Sequence, residues 1–312
     1  MSEGRTVNEG RTAKDYAYLG LTGMTMGAAD VVPGVSGGTM AFIMGVYQEL
    51  IDAIKSFDLK LAQKALRFDV KGVLEQVPWR FLAALGSGIA LAILSLAHVV
   101  TYLLDHHQNY LYAFFFGLVL ASIVAVGLDM RWSPGSVLGL VGGTLLAYWI
   151  VGLVPNEGAH SPLILFLSGS VAISAMILPG ISGSFILLIL GQYAYVIEAI
   201  KNLDIVTLIP FALGCGLGLM AFARVLSWLF AHYERITLTL LVGFMLGSLR
   251  KIWPFKVTLE TMIDRHGEEV PKVQQNVLPE MGPELWICLA LAAVGFVAIL
   301  GLNRLRPRHE AA

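Results

Sequence analysis

The sequence predicts an all-α integral membrane protein built as an inverted-topology internal repeat, each half holding one re-entrant broken helical hairpin and three transmembrane helices. Three observations carry this. The 312 residues are 56% hydrophobic and 14% charged, with a mean hydropathy of +0.72, whereas about a quarter of a soluble domain is charged. Two apolar segments are interrupted by helix-breaking residues, "VVPGVSGGT" at 31–39 and "ILPGISGSF" at 177–185. The chain also repeats itself. Shifted by 146, residues 33–58 meet 179–204 with 12 identities in 26 positions, among them Pro33, Gly34, Ser36, Gly37, Gly45, Tyr47, Lys55 and Asp58.

A bilayer core is crossed by about 20 apolar residues. The first broken segment, 16–54, is two arms of roughly 15–20 residues joined at Pro-Gly-x-Ser-Gly. Spans follow at about 80–104, 110–128 and 135–154, completing a first repeat over 1–154. The second repeat, 155–312, has its broken segment at 162–200 and spans at about 208–230, 236–250 and 284–304, with a polar loop at 251–283. With a shift of 126, "LAHVVTYLL" at 96–104 lies on "FARVLSWLF" at 222–230. Each half crosses an odd number of times, so the second half enters from the opposite face, as in secondary transporters. Each broken segment is a re-entrant hairpin or two full spans, and sequence leaves that depth open.

Basic residues orient the scheme. Arg5, Arg11, Lys14, Lys55, Lys60, Lys64, Arg67, Lys71, Arg131, Arg235, Arg304, Arg306 and Arg308 fall on the cytosolic side, as do both termini. The polar start "MSEGRTVNEGRTAK" has no signal-peptide pattern. One loop disagrees: Arg250, Lys251, Lys256, Arg265 and Lys272 fall outside. A net charge of −1 points away from nucleic acid. Cys215 and Cys288 sit in apolar segments and read as packing. No cofactor is expected, and no metal, because the adjacent His106 and His107 point to different helix faces. "GMTMG" at 23–27, "GSVLGLVGG" at 135–143 and "GFMLG" at 243–247 fit small-residue helix packing.

The broken tips suggest chemistry. Irregular backbone at membrane depth is tolerated only against protein or a water-filled cavity. Each break creates a helix amino terminus, at Ser36 or Gly37 and at Ser182 or Gly183, whose N–H groups favour an anion, especially phosphate. Gly34, Gly38 and Gly180 let a ligand approach the backbone, and Ser36, Thr39, Ser182 and Ser184 add hydroxyls. The plainer reading makes these glycines hinges for close packing. Arg224, inside its span, is a second candidate for the phosphate, with repeat mate His98 toward the other face; the plainer reading has Arg224 snorkelling. Asp30 meets Met176 in the repeat and Glu49 meets Tyr195. A carboxylate at membrane depth suggests proton or cation coupling, against a simple helix cap for Asp30.

The paired "PGVSGGT" and "PGISGS", followed by "GVYQELIDAI" and "GQYAYVIEAI", resemble the polyprenyl-phosphate transporters (PopT), and the resemblance covers nearly the whole chain. It implies flipping of undecaprenyl phosphate across the bacterial cytoplasmic membrane, with recycling of this carrier lipid for peptidoglycan synthesis. Membrane lipids would surround the protein, and a homo-oligomer is left open. Two alternatives compete. Gly34-Val35-Ser36-Gly37-Gly38 satisfies G-x-S-x-G, the signature of a serine nucleophile, so an intramembrane serine hydrolase is one; a transporter of another small anion is the other.

Overall fold

A computed structural model describes residues 11–32, 34–130, 132–154, 158–263 and 269–305, with no side chain described at 97, 129, 262–263, 269–272 or 302–305. Arg5, Pro33, Arg131, Arg265, Arg306 and Arg308, used above, lie outside the described residues. The first half runs α1 (Ala13–Val31), α2 (Gly37–Ile43), α3 (Tyr47–Lys55), α4 (Leu59–Leu66), α5 (Val70–Gln76), α6 (Trp79–Asp129) and α7 (Pro134–Ile150). The second runs α8 (Pro162–Ile177), α9 (Gly183–Ile189), α10 (Tyr193–Lys201), α11 (Ile205–Ser248), β1 (Lys256–Ile263), β2 (Glu269–Asn276) and α12 (Pro283–Leu305).

The sequence repeat is a repeat of local structure. Adding 146 to the bounds of α2 and α3 gives those of α9 and α10. Left-handed glycines recur at the same offset: Gly34 (φ 88°) with Gly180 (φ 90°), and Gly45 (φ 72°) with Gly191 (φ 68°). In each pair the first glycine turns the chain at the tip, and the second turns the short helix into the next. Adding 126 takes the break in α6, at His107 (φ −141°, ψ 41°), to the break in α11, at Tyr233 (φ −136°, ψ 41°). At 1.5 Å per residue α6 and α11 would run roughly 77 and 66 Å unbroken, more than twice a bilayer core of ~30 Å. Each break falls between two expected spans.

Among the described residues, stretches long and apolar enough to cross a membrane are Trp79–Leu96, His98–Leu128, Ile205–Ser248 and Pro283–Gly301, with a fifth if Gly183–Ile189 and Tyr193–Lys201, bent by 110°, count as one. Leu94, Leu138, Leu145, Leu163, Leu217 and Val297 point outward and are exposed, as expected where lipid rather than water surrounds a helix. This is a multi-pass membrane protein.

Three features depart from expectation. The arms of the broken hairpins are unequal. α1 and α8 have 19 and 16 residues, but the arms after the tips have only 7 before they turn, roughly 10 Å of helix. The turn comes at Gly45 and Gly191, whose left-handed φ ends each short helix. Second, the stretch 251–283, expected as a polar loop in an all-α chain, holds an antiparallel hairpin pairing Lys256 with Asn276 and Thr258 with Gln274. Its "KVTLETMI" is rich in β-branched residues, which suit a pleated surface better than a helix. Third, α4 and α5 fill the basic stretch after α3, with Leu59, Leu66 and Phe68 exposed beside Lys60, Lys64 and Lys71.

The halves are interleaved. α1 packs on α6 and its repeat mate α8 on α11, but α7 crosses to pack on α11 and α12 crosses to pack on α6. Glycine sets the closeness of all four contacts. A Cβ at Gly27 would stand 2.7 Å from the Ile89 carbonyl, at Gly169 2.6 Å from that of Phe211, and at Gly139 2.9 Å from that of Ile236; Gly117 presses on Ala292 in the same way. The "GMTMG", "GSVLGLVGG" and "GFMLG" glycines lie in these seams, except Gly142, which faces open space.

Candidate functional site

The two broken tips meet. Ser36, the N-cap of α2, donates its hydroxyl to the Met176 carbonyl (3.2 Å), and Tyr47 donates to the Ile177 carbonyl (3.0 Å). The Thr39 hydroxyl accepts from the Gly180 N–H (2.8 Å). Carbonyls released at the end of α8 thus find donors in the first hairpin, and the turn N–H of the second finds an acceptor there. Ser36, Thr39 and Tyr47 are 1%, 1% and 3% exposed, so these bonds satisfy buried polar groups from within the protein. Gly38 sits at the seam, where a Cβ would stand 2.6 Å from the Ile177 carbonyl.

The tips differ in what their helix amino termini hold. At α2 the Gly37 N–H donates to the Asp30 carboxylate (2.7 Å), the Gly38 N–H to the Ser36 hydroxyl (3.1 Å) and the Thr39 N–H to the Ser36 carbonyl (2.9 Å). Asp30 therefore caps α2 and places negative charge where an anion was expected. At α9 Met176 stands in place of Asp30, and no side chain caps the first turn. The Ser182 and Ser184 hydroxyls bond each other (2.7 Å), and Ser184 is exposed. Gly183 is buried against the Ala172 carbonyl, 2.8 Å from where its Cβ would lie. Both tips carry Pro-Gly-x-Ser-Gly, so the exchange of Asp30 for Met176 is the mark of this inequality in the sequence.

The remaining candidates lie elsewhere. Arg224 donates to the Met220 carbonyl (2.7 Å) on its own helix and to that of Phe57 (3.3 Å), just past α3. Its neighbour Ser227 accepts from Lys55 (3.0 Å) and reaches Asp52 (3.5 Å). Arg224 thus belongs to the carboxyl end of the first hairpin, and its partners include no tip residue. His98 is exposed on α6. Glu49 takes both its oxygens to one Arg11 nitrogen (2.6 and 2.5 Å). Arg11 also stacks over Phe81, 5.6 Å to the ring centroid. Breaking such a half-buried pair strands a charge, so Glu49→Gln should lower stability by about 3 kcal/mol. Thermal unfolding in detergent measures this; an unchanged midpoint with lost transport would point to coupling instead. Among the described residues no group of three His, Cys, Asp or Glu is placed to hold a metal.

Sequence reasoning missed the cations nearest the tips. Lys251 lays its stem against Gly34, whose Cβ would stand 2.7 Å from the lysine Cγ, and its ammonium lies 4.4 Å from the ring centroid of Phe185 on α9. Arg250 and Lys256 flank it on the wall of a cavity. The available signal was the one loop that broke the charge rule.

Repeated halves with interrupted helices are an architecture found among membrane transporters. The family model described as undecaprenyl phosphate translocase-like matches residues 26–270, which include both tips and Lys251. The chain belongs to this family. It is 41% identical over 311 residues to a polyprenyl-phosphate transporter of Vibrio cholerae, covering 96% of this chain and 98% of the relative. A polyprenyl-phosphate transporter of Staphylococcus aureus is 29% identical over 316 residues, covering 93% and 97%. No solved structure matches.

Proposed function

We propose that this protein flips undecaprenyl phosphate across the bacterial cytoplasmic membrane, returning the lipid carrier of cell-wall synthesis to the cytosol. The observation that carries the reading is the docking of the two tips through Ser36, Thr39 and Tyr47. It gathers irregular backbone from both halves into one protein-lined spot, where a phosphate can be kept from hydrocarbon while its tail stays in lipid. The halves enter from opposite faces, and the 7-residue arms after the tips favour re-entrant hairpins, since such an arm is too short to cross. Ser182, Ser184 and the uncapped first turn at Gly183 supply the more open donors; Gly180, whose N–H is held by Thr39, joins Gly34, Ser36, Gly37, Gly38 and Thr39 in shaping the opposing wall. Asp30 couples the cycle to protons or cations, because its charge holds α2 closed through Gly37.

A serine hydrolase fits less well. The Ser36 hydroxyl is buried and committed to a carbonyl and to the Gly38 N–H, with no base as partner. The test is reconstitution with labelled undecaprenyl phosphate, with and without a pH gradient. Flipping that soluble anions do not inhibit is expected; transport of the soluble anion alone would replace the lipid by a small anion. Asp30→Asn should weaken the response to the gradient more than lipid binding, and an unchanged response would leave Asp30 as a cap only. Orientation has its own measurement. Labelling of Lys55→Cys only from the cytosol and of Lys201→Cys only from outside is expected, and labelling of both from one face would end the inversion.

A further inference from the structure

The cations that broke the charge rule line a cavity of about 760 Å³ between the carboxyl ends of α7 and α11, the flank of α9 and the β hairpin. Arg250, Lys251 and Lys256 stand on its wall, and no carboxylate does among the described residues. Their contacts there are neutral. Arg250 donates to the Tyr148 carbonyl (3.1 Å) and stacks on that ring, 4.3 Å to the centroid. Lys256 donates to the Lys251 carbonyl (2.6 Å) and lies 4.4 Å from the Tyr112 centroid. Burial lowers the Lys251 ammonium from its ordinary value, and burial with the charge of Lys251 lowers Lys256 to about 7.

Cations crowded together without a counter-charge are costly unless an anion completes them. The volume falls in the range of small-molecule sites. Gln274, Gln275 and Asn276 give part of the rim polar character, while Val151, Leu153, Leu188 and Leu246 make another part apolar. A ligand with a charged head and a greasy stem fits both. Lys251 joins the cavity to the tips, touching Gly34 with its stem and Phe185 with its ammonium. A phosphate monoester carries nearly two charges and three free oxygens, enough to engage an arginine fork and two ammonium groups together. A phospholipid diester carries one charge and two free oxygens.

We propose that this cavity is the capture site for the terminal phosphate monoester of the lipid, selective over diester headgroups, from which Lys251 passes the phosphate to the tips. The inference rests on the proposed function. It assigns the cavity and its three cations, while the tips alone account for shelter within the membrane.

The experiment uses the full chain in nanodiscs of zwitterionic lipid and measures binding of undecaprenyl phosphate, of inorganic phosphate and of phosphatidylglycerol, alongside flipping in proteoliposomes. Arg250→Gln and Lys251→Gln should each weaken undecaprenyl phosphate binding about tenfold or more, the loss expected when one charge-assisted contact goes. Lys251→Arg should retain most of it. Thermal unfolding checks that the variants fold, and Arg250, being exposed, tests the site should Lys251→Gln fail to fold. Wild-type affinity and flipping in both folded glutamine variants would overturn the capture site and leave the transport reading standing. Equal binding of phosphatidylglycerol would overturn the monoester selectivity. Binding of inorganic phosphate alone, lost in the variants, would overturn the lipid as occupant. A wild-type protein that neither binds nor flips the lipid would overturn the transport reading itself.

Discussion

Gly38→Val is expected to abolish transport while leaving protein in the membrane. The Cβ of any larger residue at 38 falls 2.6 Å from the Ile177 carbonyl and 3.0 Å from that of Met176. Both are backbone atoms at the end of α8, so neither rotates away. The clash drives the tips apart and breaks the Ser36, Thr39 and Tyr47 bonds across the seam. Each buried group left unpaired costs about 1–3 kcal/mol, enough together to undock the tips. A milder comparison is Thr39→Val, which keeps the shape and strands only the Gly180 N–H; partial activity is expected. Normal flipping by folded Gly38→Val in proteoliposomes would show that docked tips are not part of the transport cycle.

The largest effect on stability is expected at Gly117. Its Cα faces the backbone of Ala292, and Gly295 on α12 faces Phe114 in return. Gly117→Leu leaves α12 unable to approach α6 and should cost more than ~4 kcal/mol, the exceptional range reserved for named structural faults. Loss of monodisperse protein in detergent, with the exposed Gly86→Leu as control (a Cβ at Gly86 meets nothing within 4 Å), measures this. Equal yields would mean that the seam tolerates separation.

The repeat was legible because it is written in residue identities. The offsets of 146 and 126 carry over unchanged from the motifs to the helix bounds and to the breaks at His107 and Tyr233. Apolar length located the helices for the same reason. What the sequence hid was partnership across it. That Glu49 pairs with Arg11 was hidden, because the two are 38 residues apart and nothing in the pattern joins them. Asp30 broke the symmetry visibly, yet that it closes its own tip depended on the turn at Gly34, which brings Gly37 back onto α1. Arg224 stood out as a cation inside a span, and its partners are the carbonyls of Met220 and Phe57, groups no composition reveals. Lys251 was visible only as a misplaced positive charge. The β hairpin was missed because a polar, charged stretch between spans was read by its hydrophilicity, while its alternating Val, Thr and Ile residues went unused.

The crossing of α7 onto α11 and of α12 onto α6 bears on how the chain is made. A ribosome delivers the first half before the second, yet the flank of α6 that α12 packs on waits for that helix to emerge. That flank spends most of synthesis against lipid or a biogenesis factor. Conversely α7, though finished early, gains its main packing surface only when α11 arrives. The packing of each half is therefore completed only by the other, and a chain that stopped before Pro283 would leave this flank of α6 without α12. The 23-residue α12 is thus the element that covers this flank of α6.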